Sequence, residues 1–156
     1  MRTTTPRPCS VADALSVIGE KWSLLVIREI ALGSRRFDAI ARNTGAPRDV
    51  LTSRLRRLEG TGVVEKRKYQ ERPERYEYHL TPAGKELRPI LLSLGQWGER
   101  WAGGRPALTY EHTCGHDLEL VHTCRACGGE VTGGRELTPH FRPGWSSAGP
   151  VEPEAA

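Results

Sequence analysis

Residues 46–69, APRDVLTSRLRRLEGTGVVEKRKY, constrain the fold more than any other stretch, because two periodicities meet inside them. Leu51, Leu55 and Leu58 recur at i, i+4 and i+7, the spacing of one helix face. From Val64 the period drops to two, with Val64, Lys66 and Lys68 alternating with Glu65, Arg67 and Tyr69. A helix followed at once by a strand is expected, with Gly60 and Gly62 breaking the helix between them. Seven Arg and Lys side chains crowd this segment. So much charge on the polar side of one helix and one strand asks for an anionic partner.

The flanking segments complete a pattern. WSLLVIREIALG (22–33) is apolar nearly all round and reads as a buried central helix closed by Gly33. Ahead of it, Ser10 stands as an N-cap with Asp13 in a capping-box position, and Gly19 ends that first helix. Phe37, Ile40 and Ala41 mark a short amphipathic helix stopped by Gly45, and Pro47 is expected at the first position of the next one. After the polar loop QERPER, Tyr76, Tyr78 and Leu80 alternate with Glu77 and His79, so the two period-two runs form a hairpin with a basic tip. Thr81 and Pro82 open a last helix carrying Leu87, Ile90, Leu91, Leu94, Trp97 and Trp101, which Pro89 should kink. That is more apolar surface than one small domain needs, so a second copy of the chain is expected to cover part of it.

The expected fold is α+β, mainly α: a winged helix-turn-helix with flanking dimerisation helices and a small Cys/His-containing C-terminal extension. Its expected divisions are a disordered arm at 1–8, the DNA-binding and dimerisation domain at 9–102, an extension at 103–140 in hairpin form, and a disordered tail at 141–156. On the helix at 48–60, Asp49, Thr52, Ser53 and Arg56 face away from the leucines, Arg54 and Arg57 flank them, and Arg48 stands at the N-terminus. Such a helix, about 10–12 Å across, fits a major groove about 12 Å wide, where Arg reads guanine and Thr or Ser reaches bases or phosphates. The preceding helix would brace it across the backbone. Expected DNA contacts are therefore Arg48, Thr52, Ser53, Arg56 and Arg57 on the helix, and Lys66, Lys68, Arg72 and Arg75 on the hairpin. Overall charge agrees: residues 1–101 hold 19 Arg and Lys against 12 Asp and Glu, whereas the remainder is mildly acidic. The longest apolar runs are too short to span a bilayer, and no apolar stretch follows the first arginines, so the expected compartment is the cytoplasm, with no membrane partner.

The pieces CSVADALSVIGEKWSLLVIREI, RRFDAIA, VLTSRLRRLEGTGVVEKRKY and YHLTPAGKELRPIL closely resemble the HxlR-type bacterial transcriptional regulators, relatives of the MarR type. The resemblance spans about residues 9–98. It implies a homodimeric repressor or activator paired through its first and last helices, the latter through Leu87, Leu91, Leu94, Trp97 and Trp101. An inverted-repeat operator follows from such symmetry. Several members sense oxidants, quinones or aldehydes through a cysteine at the place of Cys9. Here Cys9 precedes a helix N-terminus, with Arg2 and Arg7 upstream, where dipole and cations draw negative charge. Cys9 is thus the redox-sensing candidate, and a small-molecule effector is equally compatible.

The other cysteines lie in HTCGHDLELVHTCRACGGEV (112–131). Cys124 and Cys127 form a CxxC that looks like a metal knuckle, but a second such pair is missing, and His112 or His116 would have to join Cys114 as ligand. Zinc, a reversible disulfide, or a hairpin with neither all remain open at this point, with His122 also nearby. No metal, cofactor or catalytic residue is assigned. A thiol-redox enzyme would want a βαβ setting around the CxxC, which is absent, and no other catalytic set appears. The remaining alternative is a protein-interaction module that never meets DNA.

Overall fold

The computed structural model describes residues 8–103, 106 and 108–142, so the segments expected as arm and tail, with Arg2 and Arg7, fall almost wholly outside the described residues. It divides into one unit at Ala12–Thr109 and another holding what lies on either side of it. The elements run α1 (Ser10–Ile18), α2 (Lys21–Ala31), α3 (Phe37–Thr44), α4 (Arg48–Gly60), β1 (Val64–Gln70), β2 (Arg75–Leu80) and α5 (Pro82–Trp101).

Val26 and Ile27 of α2, Ile40 of α3, Leu51, Leu55 and Leu58 of α4, and Val64 of β1 supply the fully buried core. Val17, Ile18, Leu87 and Leu91 pack against it while keeping some exposure. The core is thus gathered around α2. That helix is less uniformly apolar in role than its composition suggests: it buries Ser23 and Glu29 beside Val26, Ile27 and Ile30. A buried carboxylate is costly unless hydrogen-bonded. Glu29 accepts from Arg28 at 2.8 Å and from the Asn43 amide at 3.0 Å, which ties α2 to the end of α3.

Gly45 ends α3 in the left-handed conformation, φ 70°, which costs glycine little and other residues more. Pro47 does not occupy the first turn of α4 as expected from the sequence. It stands one residue earlier, as the N-cap with φ −54° and ψ 143°, and its carbonyl accepts from Leu51 at 2.8 Å. The N-cap residue's own N–H takes no part in the helix, so proline is tolerated there as well.

β1 and β2 pair antiparallel from Val64 opposite Leu80 to Lys68 opposite Tyr76, with an irregularity after Lys68. Thr81 caps α5 by accepting from Gly84 N, and its hydroxyl donates to Gly62 O at 2.6 Å. At Gly84 an added Cβ would lie 2.2 Å from the Val63 carbonyl oxygen, so the start of α5 needs glycine to sit this close to the turn after α4. α5 continues through Pro89 as one helix.

The described part of the extension carries two isolated antiparallel bridges, Glu111 with Asp117 and Thr123 with Glu130. From residue 108 to 142 no described residue is buried.

Candidate nucleic-acid interface

Burial of Leu51, Leu55 and Leu58 orients α4, and the opposite side of the helix follows. Arg48, Asp49, Thr52, Ser53 and Arg56, with Phe37 of α3, line one open cleft of about 550 Å³. Four of the five expected contact residues on this helix are therefore brought together. The fifth, Arg57, is exposed but turns away, its guanidinium donating to the Ser16 carbonyl of α1. Arg54 is paired with Glu20 at 2.9 Å and only 20% exposed, so it braces the helix.

Charge availability differs along the ridge. Arg56 is exposed and has no ion-pair partner among the described residues. Arg48 bonds Asp38 at 2.8 Å and lies over the Phe37 ring, but both ends of that pair are more than 70% exposed. Exposed pairs are worth about 0–1 kcal/mol, less than a phosphate contact offers, so the pair holds Arg48 in place without sequestering it. The Thr52 hydroxyl donates to Arg48 O at 2.8 Å, leaving its oxygen to accept.

The hairpin is anchored to the helix-turn-helix at several points. Tyr78 N donates to Arg35 O at 2.8 Å, Arg36 pairs with Glu77 at 3.2 Å, and the Arg36 guanidinium stacks 4.7 Å over Tyr69. Burial pushes the Tyr78 phenol up from its ordinary pKa, and Glu59 adds to this while Arg56 opposes it. These anchors carry no periodic signature, and the sequence offered no signal for them. The same holds for Glu29 with Asn43.

At the wing, Arg72 and Arg75 are exposed and unpaired among the described residues, whereas Lys66 sits 4.0 Å above the Tyr76 ring. Lys68 is engaged by Glu74 at 2.6 Å and Glu71 at 3.3 Å. Those bonds raise the Lys68 pKa, and reciprocally the bond from Lys68, then that from Tyr76, lowers Glu74. The wing's net offer of charge therefore rests on Arg72, Arg75 and Lys66 more than on Lys68.

No described helix is long and apolar enough to cross a membrane. Exposed on α5 are Ile90, Leu94, Trp97 and Trp101, at i, i+4, i+7 and i+11, with the two tryptophans 60% and 70% exposed. Leu87 and Leu91, expected from the sequence to pair with a second copy, are partly buried against the chain's own core.

Residues 17–105 match the HxlR-like helix-turn-helix family. An HTH-type transcriptional regulator of Mycobacterium tuberculosis is 42% identical over 88% of this chain and 89% of its own length. YybR of Bacillus subtilis, also an HTH-type transcriptional regulator, is 37% identical over 58% of this chain and 74% of its own. Among solved structures, the transcription factor PA1607 superposes with a TM-score of 0.71 at 30% identity, covering 86% of this chain and 94% of that one. The redox regulator HypR in its reduced form gives 0.55 at 35% identity, covering 59% and 92%. With a helix-turn-helix braced on a buried central helix and followed by an anchored wing, the chain belongs to the HxlR-like helix-turn-helix family of transcriptional regulators.

Proposed function

We propose that this regulator binds an inverted-repeat operator as a homodimer, reading bases through Arg48, Thr52, Ser53 and Arg56 and phosphates through Lys66, Arg72 and Arg75. The observation that carries this reading is the open cleft on α4, whose cation Arg56 no described carboxylate neutralises. The apolar stripe Ile90, Leu94, Trp97 and Trp101 supports dimerisation, as do the exposed Val11 and Leu15 of α1. Scattered exposed apolar residues are ordinary, but two mostly exposed tryptophans on one helix stripe are not. Two-fold pairing sets the recognition helices roughly 34–36 Å apart, one turn of DNA, and imposes a palindromic site.

A thiol response is part of the proposal. Cys9 is exposed directly before α1, and HypR, similar in structure over 59% of this chain, is a redox regulator solved both reduced and oxidised. The test is a gel-shift titration of the full chain on duplex DNA from upstream of its own gene, against a scrambled duplex, with and without diamide. Selective retention of the upstream duplex is expected, with release by diamide that Cys9→Ser removes. Equal affinity for both duplexes at all salt concentrations rejects operator recognition, and diamide release that persists in Cys9→Ser rejects Cys9 as the sensor.

A further inference from the structure

Another cavity, of about 380 Å³, opens where the end of α2, the hairpin and the start of α5 meet. Arg35, Arg67, His79, Lys85 and Arg88 line it, and no described Asp or Glu does. It shares no residue with the cleft on α4. His79 and Leu80 place it at the base of the hairpin, where Val64 pairs with Leu80, and not at the tip. All of its lining belongs to the unit Ala12–Thr109.

The chain neutralises only part of this charge. Arg67 pairs with Glu65, and Glu77 lies 3.7 Å from His79 Nε2, so those two are met at the margin. Arg35, Lys85 and Arg88 are exposed and have no ion-pair partner among the described residues. The carbonyls that end α2 are already taken: Arg28 O, Glu29 O and Ile30 O accept from Leu32 N, Ser34 N and Gly33 N. Lys85 and Arg88 also stand in the first two turns of α5, three residues apart on one face, and the first turn holds no acidic residue. Cations at a helix N-terminus oppose the macrodipole, and like charges at this spacing repel. An arrangement that destabilises the free protein in two ways, and that an anion would relieve in both, points to a ligand.

We propose that this cavity binds a compact organic anion of two or more negative charges, a phosphate ester or a polycarboxylate. The three unmatched cations set the charge. Arg35 and Arg88 bring planar forks that suit carboxylate and phosphate oxygens, and Lys85 adds a point charge. Ile30, Ala31 and Leu80 give the ligand's carbon skeleton a small apolar rest. The volume is that of a small-molecule pocket and cannot admit a duplex. No rearrangement is required, since the lining side chains already border one space. Bound there, the anion touches both the hairpin and α5, the helix that carries the two exposed tryptophans.

The test is isothermal titration calorimetry of the full chain, without DNA, using glucose 6-phosphate in one arm and citrate in the other. Sodium chloride at matched ionic strength is the blank. Saturable binding of at least one probe is expected, with Kd below about 1 mM, and the tighter arm tells phosphate ester from polycarboxylate. Lys85→Gln and Arg88→Gln should each weaken it at least about fivefold. Arg42→Gln, which removes an exposed cation of α3 outside the cavity, should leave it unchanged. Without ligand, Arg88→Gln should melt about a degree or more above wild type, because a repulsion has gone. Saturation by neither probe below about 10 mM overturns the proposal, as does a loss in Arg42→Gln equal to that in Arg88→Gln. If neither probe binds while Arg88→Gln weakens scrambled duplex and flattens its salt dependence, the cavity meets DNA phosphate instead, and the proposal fails. Because the calorimetry contains no DNA, failure of the operator reading would leave its result standing.

Discussion

At the scale of single residues, the question is which cations are free. Arg54 and Arg57 of α4 are committed to Glu20 and to the Ser16 carbonyl, Arg48 is steadied by Asp38, and Arg56 has no ion-pair partner among the described residues. A helical wheel drawn from sequence shows direction but not engagement, which is why Arg57 joined the expected contacts although its guanidinium turns toward α1. Arg56→Ala should cost about 1–3 kcal/mol on the operator, relax preference at one base pair, and scarcely alter binding to scrambled DNA. Fluorescence anisotropy on both duplexes checks this; a uniform loss on the two would make Arg56 a phosphate contact.

At the scale of elements, the wing holds its charge in reserve. Lys68 is bound by Glu74 and Glu71, so its ammonium is offset on site. Glu74→Gln should release it, raising affinity for any duplex and steepening the salt dependence by about 0.9 in log–log slope for one more phosphate contact. Acidification in the neutral range should not imitate this. A lowered carboxylate keeps its charge above the ordinary carboxylate range, and its pairing is lost only as pH falls through the lowered value. Binding titrations of wild type and Glu74→Gln across salt and pH test both statements; an unchanged slope in the variant would mean that Lys68 does not reach phosphate. The elements themselves were largely legible in the sequence, since α4 and the two strands announce their own periods in Leu51, Leu55, Leu58 and in Tyr76, Tyr78, Leu80. Pro47 was misplaced by one residue because a missing N–H is harmless on either side of a helix start. That Leu87 and Leu91 also pack against the chain's own core was not legible, because α5 is apolar over adjacent stripes and spacing alone does not tell which of them meets the core. The anchors Arg36 with Glu77 and Glu29 with Asn43 join residues far apart in sequence, where no period links them.

At the scale of the whole molecule, the stripe Ile90, Leu94, Trp97 and Trp101 decides whether one head or two meets the DNA. Trp97→Glu places a charge where a partner helix would bury it, so sedimentation should show a dimer in wild type and a monomer in the variant, with helix content kept because Trp97 contributes little to the chain's own core. An unchanged dimer would move the interface elsewhere. The central claim, that the outward face of α4 and the wing lie against DNA, is tested most directly by hydrogen–deuterium exchange on the full chain with and without operator duplex. Slower exchange should appear in residues 48–57 and 66–75, with scrambled duplex protecting the wing more than the helix. Protection confined to other segments, with α4 exchanging as in the free protein, would contradict it.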